Sequence, residues 1–202
     1  MAAVAARFSR LTVLDQRIIV GACGPLKFFG NVRVGVVSDT HMPRMAKALP
    51  SALVAGLREQ ALDLIVHCGD VVVESVVPLF EALAPFEAVA GNNDPPELVR
   101  RFGRRKILQL DGARVGLVHG DGARRGVKTP DHAFAQFENI GVDAVLFGHS
   151  HIPYSAVRAG VLLFNPGSPT DKRTNPRYSY GILRIACTVI EALHYYYENK
   201  AA

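Results

Sequence analysis

Seven polar side chains stand just beyond apolar runs in this chain: Asp39, His41, Asp70, Asn92, His119, His149 and His151. Carboxylate and amide oxygens mixed with imidazole nitrogens suit divalent first-row metals, with manganese first and iron, nickel, cobalt or zinc as alternatives. Seven donors are too many for one tetrahedral ion. They suit two ions about 3.5–4 Å apart sharing a carboxylate, the arrangement that clamps the attacking and leaving oxygens of an in-line displacement at phosphorus. Two divalent ions bring about +4, and Asp39, Asp70 and a bridging hydroxide together remove about 3. The remainder suits a phosphate.

Taken singly, these residues say little. An Asp at a strand end is commonly a turn or cap residue, and a His within a strand is commonly a satisfied core group. Their recurrence at successive strand ends carries the inference. His67 lies inside its run and is read as structural, while His132 and His194 fall outside the pattern and are expected at the surface.

The elements that must position the seven follow from hydrophobic patterning. Apolar runs at 34–37, 62–67, 86–90, 115–118 and 144–147 each end in Asp, Asn or His. Near-continuous apolar runs read as buried parallel strands, and ligands gather outside the carboxyl ends of such strands. Helical spacing over 46–60 and 74–83 supplies crossovers, and Pro95-Pro96 opens a short helix ending near Gly103. Asp111-Gly112 joins 106–110 to 113–118 as a hairpin. A further helix is expected over 129–140, before the strand 143–147. Beyond His151 only strands are expected, at 152–157, 161–164, 179–185 and 188–196, which implies a second, antiparallel-rich sheet and a layered α/β sandwich.

Composition narrows the class. The 202 residues, about half of them apolar, suffice for one well-buried domain. The net charge of +5 arises from clusters at Arg100–Lys106, Arg124–Lys128 and Lys172–Arg177. These are compatible with an anionic substrate or with a solvated basic face. No zinc-finger, helix-turn-helix or RNA-binding signature is present, so a nucleic-acid module is not expected. Three cysteines, Cys23, Cys68 and Cys187, are odd in number and widely spaced, which points to a reducing, cytoplasmic setting, with Cys68 a small core hydrophobe. No apolar run is long enough for a membrane span. No Gly-rich dinucleotide fingerprint follows the first strand, and no P-loop occurs. Residues 1–31 form an extension of uncertain role. An extra strand within 11–20, a start assigned too early and a transit-like leader are the readings open for it.

Asp39-Thr40-His41, Gly69-Asp70, Gly91-Asn92, His119-Gly120 and Gly148-His149-Ser150-His151, in this order, resemble the calcineurin-like metallophosphoesterase superfamily. The likeness is to its small bacterial and archaeal phosphodiesterase branch, the YfcE-like or MJ0936-like group, whose loop the segment Phe164-Asn165-Pro166-Gly167-Ser168-Pro169 also resembles. The resemblance spans residues 32–189. It implies a four-layer αββα sandwich of two mixed sheets flanked by helices, with residues 32–197 as the phosphoesterase domain. It implies that Asp39, His41 and His151 hold a first metal, that Asp70 bridges, and that Asn92, His119 and His149 hold a second.

The implied activity is metal-dependent hydrolysis of a small phosphate ester, a phosphodiester first, by a hydroxide activated between two metals. A phosphomonoesterase is the alternative within enzymes. Outside enzymes the alternative is a protein-binding scaffold, because the retromer complex has a small subunit resembling this fold. Arg124 and Arg125 are candidates for a phosphate contact, and oligomeric state is left open, a dimer included. The chain departs from the superfamily at Asn93, where a proton-donating His is common. Asp94 is then the candidate leaving-group acid, with capping of the following helix as its other role.

Overall fold

The computed structural model describes residues 12–13, 18–20 and 32–200. A first sheet contains β1 (Thr12–Val13), β2 (Ile18–Val20), β3 (Val32–Val37), β4 (Leu64–His67), β5 (Phe86–Ala88), β11 (Tyr178–Ala186) and β12 (Val189–Tyr197). Its order is β1-β12-β11-β3-β4-β5, with β2 also paired to β12. Strands β3, β4 and β5 are parallel, and the β11–β12 hairpin closes antiparallel onto β3. A second sheet contains β6 (Arg105–Leu110), β7 (Ala113–Val118), β8 (Ala144–Leu146), β9 (Tyr154–Arg158) and β10 (Val161–Asn165) in the order β6-β7-β8-β10-β9. The hairpin at Asp111-Gly112 forms as expected, in register Leu110↔Ala113.

Period-2 alternation divides the strand residues between two faces. Val34, Val36, Val115, Leu117, Leu162, Phe164, Leu183 and Ile185 meet in the core between the sheets. The opposite face of the first sheet, with Val37 and Ile65, packs on α1 (Ser51–Glu59), α2 (Val77–Glu81) and α3 (Pro96–Phe102). Val118, Val145 and Leu163 of the second sheet pack on Ala133 of α4 (Thr129–Ala135). The result is the αββα sandwich. None of the helices described is long and apolar enough to cross a membrane.

Several expectations need correction. The helix expected over 46–60 begins only at Ser51, because Pro50 is extended at φ −54°, ψ 133° and forces the preceding residue out of the helical region. The segment 74–83 is a 3-10 turn, Glu74–Val76, leading into α2. The helix expected over 129–140 ends at Ala135 and continues as turns, with Phe137 N–H bonded to Phe134 O and Ile140 N–H to Phe137 O. Left-handed Asn139 and Gly141 close it.

His194 is buried rather than at the surface. The alternation that carries Ile190 and Ala192 into the core between the sheets carries His194 inward too, stacked on Phe164 with 4.4 Å between ring centroids. His132 is half-buried on α4, while His67 and Cys68 are fully buried, as expected of structural groups. Part of the N-terminal extension is in the fold, since β1 and β2 both add antiparallel to β12 and Val20 packs in the core. The rest of residues 1–31, with Cys23, lies outside the described residues.

Candidate metal centre

The strands β3, β4, β7 and β8 stop where their side chains must turn into a common cleft, and the backbone shows how. Asp39, His41, Asp70, His149 and His151 all have positive φ, between 44° and 65°. Non-glycine residues in that region cost on the order of 1–3 kcal/mol each, and such positions cluster at functional sites. Glycines allow the strand ends to approach one another. A Cβ on Gly148 would collide with Ser38 Oγ and Asp39 Oδ2, and one on Gly91 with Asp70 Oδ1.

Asp39 is fully buried. Its Oδ2 accepts hydrogen bonds from Ser38 Oγ at 2.7 Å and His149 N–H at 3.0 Å, whereas its Oδ1 has no hydrogen-bond partner. That free oxygen lies 3.4 Å from His151 Nε2, 3.8 Å from His41 Nε2 and 3.9 Å from His119 Nε2. Asp70 Oδ2 lies 3.3 Å from His119 Nε2 and 3.5 Å from His41 Nε2. The donor atoms of Asp39, His41 and His151 are within 4.8 Å of one another, and so are those of Asp39, Asp70 and His119.

Backbone carbonyls select the tautomers. His119 Nδ1–H donates to Cys68 O at 2.8 Å and His151 Nδ1–H to Asp171 O at 2.6 Å, which turns each Nε2 into the cleft as the atom that would meet a cation. His41 Nε2 and His151 Nε2 stand 3.3 Å apart with their rings stacked. Asn92 Oδ1 and His149 Nδ1 lie side by side at 3.1 Å, and the His149 ring meets that of His119 at 5.2 Å between centroids. Five of the seven expected residues are thus drawn together through their donor atoms. Asn92 and His149 form an adjoining pair.

The residues fit a divalent cation. Two buried carboxylates face each other's imidazoles, and among the described residues no Lys or Arg pairs with either. Buried charge without a countercharge is strongly unfavourable, and among the described residues only the imidazoles stand close enough to supply one, a place a bound cation would take over. Protonation responds to that need. Burial alone would push His119 down, but the Asp70 and Asp39 carboxylates overcome it and hold the imidazole up at about 9. Burial would raise Asp70, yet His119 and the Asn93 hydrogen bonds keep it below the ordinary carboxylate range. His41 and His149 fall below their ordinary value, chiefly through burial, and so offer neutral nitrogens near pH 7.

Asp94 does not cap α3, whose N-cap is Pro95 with no side-chain bond. Its carboxylate accepts N–H from Asp70 at 2.8 Å, Val72 at 2.6 Å and Gly91 at 2.7 Å, and so ties the loops that carry Asp70 and Asn92 together. Arg124 and Arg125 are exposed, while Arg104 leans on Gly91 O at 3.4 Å and Asp121 Oδ2 at 3.9 Å. Sequence reasoning missed the roles of Ser38, Asn93, Ser168, Thr170 and Asp171, all of which bond to one of the seven side chains or to its backbone. For Ser168, only the loop resemblance signalled it.

A profile described as the calcineurin-like phosphoesterase superfamily domain matches residues 32–187. A probable metallophosphoesterase from Methanothermobacter thermautotrophicus is 37% identical over 157 residues, which is 75% of this chain and 85% of that protein. The phosphodiesterase MJ0936 of Methanocaldococcus jannaschii is 27% identical over 154 residues, 67% of this chain and 83% of that one. In fold, the chain is similar to Vps29 from Entamoeba histolytica in its zinc complex, with a TM-score of 0.70 at 21% identity over 82% of this chain and 92% of that one. A profile match that spans every one of the seven side chains leaves one assignment: this chain belongs to the calcineurin-like phosphoesterase superfamily.

Proposed function

We propose that the chain is a metal-dependent phosphodiesterase that works with two divalent ions, manganese first among them. The observation that carries this reading is the pair of buried carboxylates, Asp39 and Asp70, facing three imidazoles with no Lys or Arg paired to either among the described residues. Asp39, His41 and His151 would hold one ion, and Asn92, His119 and His149 the other. Asp70 is the better bridge, because its Oδ2 is nearer than Asp39 Oδ1 to both His41 (3.5 against 3.8 Å) and His119 (3.3 against 3.9 Å). Bound divalent ions supply charge stabilisation at a phosphoryl group and a nucleophile ionised near neutral pH.

The chain's own part is to orient and to exclude. The carbonyls of Cys68 and Asp171 fix two imidazole tautomers, and Ser38 and the His149 N–H turn the free oxygen of Asp39 into the cleft. Asp94, with its oxygens occupied by three backbone donors, is a positioning group rather than the leaving-group acid. Asn93 has no proton to give at neutral pH, so alcohol departure is assisted at neither position. The diester preference rests on the relative named a phosphodiesterase. A scaffold would gain nothing from gathering two buried carboxylates and their imidazoles in one cleft.

The test is a hydrolysis screen of phosphodiesters and phosphomonoesters with each of Mn, Fe, Ni, Co and Zn. Metal-dependent turnover with diesters preferred is expected. Turnover of monoesters alone would overturn the diester assignment, and binding of metal without hydrolysis of any ester would favour the scaffold.

A further inference from the structure

We propose that Ser168 and Thr170 are positioning residues for one half of the metal centre only, the half built on the Asp39–His41 turn. This rests on the two-ion reading above. The turn is an unfavourable one, since Asp39 (φ 56°) and His41 (φ 44°) are both left-handed without being glycine. Its carbonyls are buried with it, and a buried carbonyl must find a donor. Ser168 Oγ donates to Asp39 O at 2.8 Å, and Thr170 Oγ1 donates to Thr40 O at 2.6 Å, with Asp39 O 3.3 Å away. Both hydroxyls come from a segment more than a hundred residues further along the chain, and both residues are buried.

The support continues around the same three ligands. Asp171, next to Thr170, takes the His151 Nδ1–H on its carbonyl. Lys200 Nζ bridges Thr170 O at 3.0 Å and Met45 O at 2.5 Å, and Met45 N–H in turn bonds to His41 O at 2.9 Å. The other half is held differently. Asp70 is gripped by Asn93 and its loop by Asp94, and His119 is oriented by Cys68 O. No hydrogen bond among the described residues runs from Ser168 or Thr170 to Asp70, Asn92 or His119. The halves are joined to each other, Asp39 N–H to Gly69 O at 3.0 Å, His41 N–H to Asp70 O at 3.1 Å and His149 N–H to Asp39 Oδ2 at 3.0 Å. Ser168 and Thr170, however, hold carbonyls of the first half alone, so losing either should weaken one ion far more than the other.

The experiment is a calorimetric titration of metal-free protein with Mn, with bound metal counted by elemental analysis, for the wild type, Thr170→Val, Thr170→Ser and Ser168→Ala. The expected result is two ions on the wild type and on Thr170→Ser. Thr170→Val and Ser168→Ala should bind one ion as the wild type does and the second about 10–100-fold more weakly, the usual effect of losing a group that orients a ligand. Ser168→Ala keeps the test open should the valine variant not fold. Equal weakening of both ions, or no weakening, overturns the inference while leaving the two-ion reading intact. A wild type that takes up fewer than two ions overturns the two-ion reading and this inference with it.

Discussion

Asn93 holds Asp70 by both carboxylate oxygens, its backbone N–H on Oδ1 at 2.8 Å and its side-chain Nδ2 on Oδ2 at 2.7 Å. The residue that stands where the superfamily commonly has a proton donor is therefore a clamp on the proposed bridging ligand. Asp70→Asn keeps the shape but removes the charge shared between the ions, and it presents an amide to the Asn93 amide. Metal affinity is expected to fall at least about 10–100-fold, and turnover with it. Near-wild-type rate and metal content in this variant would refute the bridging role.

Leaving-group dependence tests the acid question. General acid help is typically worth about 10²–10⁴-fold, and without it aryl esters should be cut far faster than alkyl esters. Asn93→His should flatten that dependence by accelerating the alkyl substrates. Because the substitution also removes the Nδ2 clamp on Asp70, rates must be normalised to bound metal. A wild-type slope near zero across leaving-group pKa values would show that another acid is present.

Deleting residues 1–31 removes β1 and β2 from the edge of the first sheet and Val20 from its core, but none of the seven proposed ligands. Full burial of a valine contributes about 1.5–3 kcal/mol. The truncated protein should therefore melt at a lower temperature while keeping its metal content and rate. Loss of turnover from a folded, metal-loaded truncation would place part of the extension at the active site.

His194 supplies a pH signature separate from the metal centre. Burial lowers its pKa, opposed by the bond from Nε2–H to Asn165 O at 2.7 Å, and Nδ1 has no partner. With the folded pKa below the unfolded value of about 6.5, the unfolded chain binds the extra proton first as pH falls. The stability that neutral His194 contributes is thus present above about pH 6.5 and lost as pH drops through the folded pKa. In EDTA, the wild type should lose stability relative to His194→Phe, read from urea midpoints, as pH falls from 8 to 5. A constant difference would mean that His194 titrates normally.

The sequence by itself determined a layered α/β sandwich and which polar side chains stand at its strand ends, while the αββα order followed from the family resemblance. Hydrophobic period is a local property, so the apolar runs that become β3, β4, β7 and β8 can be read with the polar residues that terminate them, and so can the hairpin at Asp111-Gly112. Even the burial of His194 was legible, two residues beyond Ala192 on an alternating strand, although its polarity drew the reading to the surface. Tertiary structure alone decided how the ends are held. Asp39 and His149 are 110 residues apart and joined by one hydrogen bond, Thr170 reaches back 130 residues to Thr40 O, and Asp94 gathers N–H groups from two loops. Such bonds leave no periodic trace, because one hydroxyl or carboxylate at one position satisfies a distant backbone group. The left-handed turns at Asp39, His41, Asp70, His149 and His151 belong to the same class. No local preference of Asp or His dictates them, and only the surrounding packing makes them the lowest-energy way to bring the donors into one cleft.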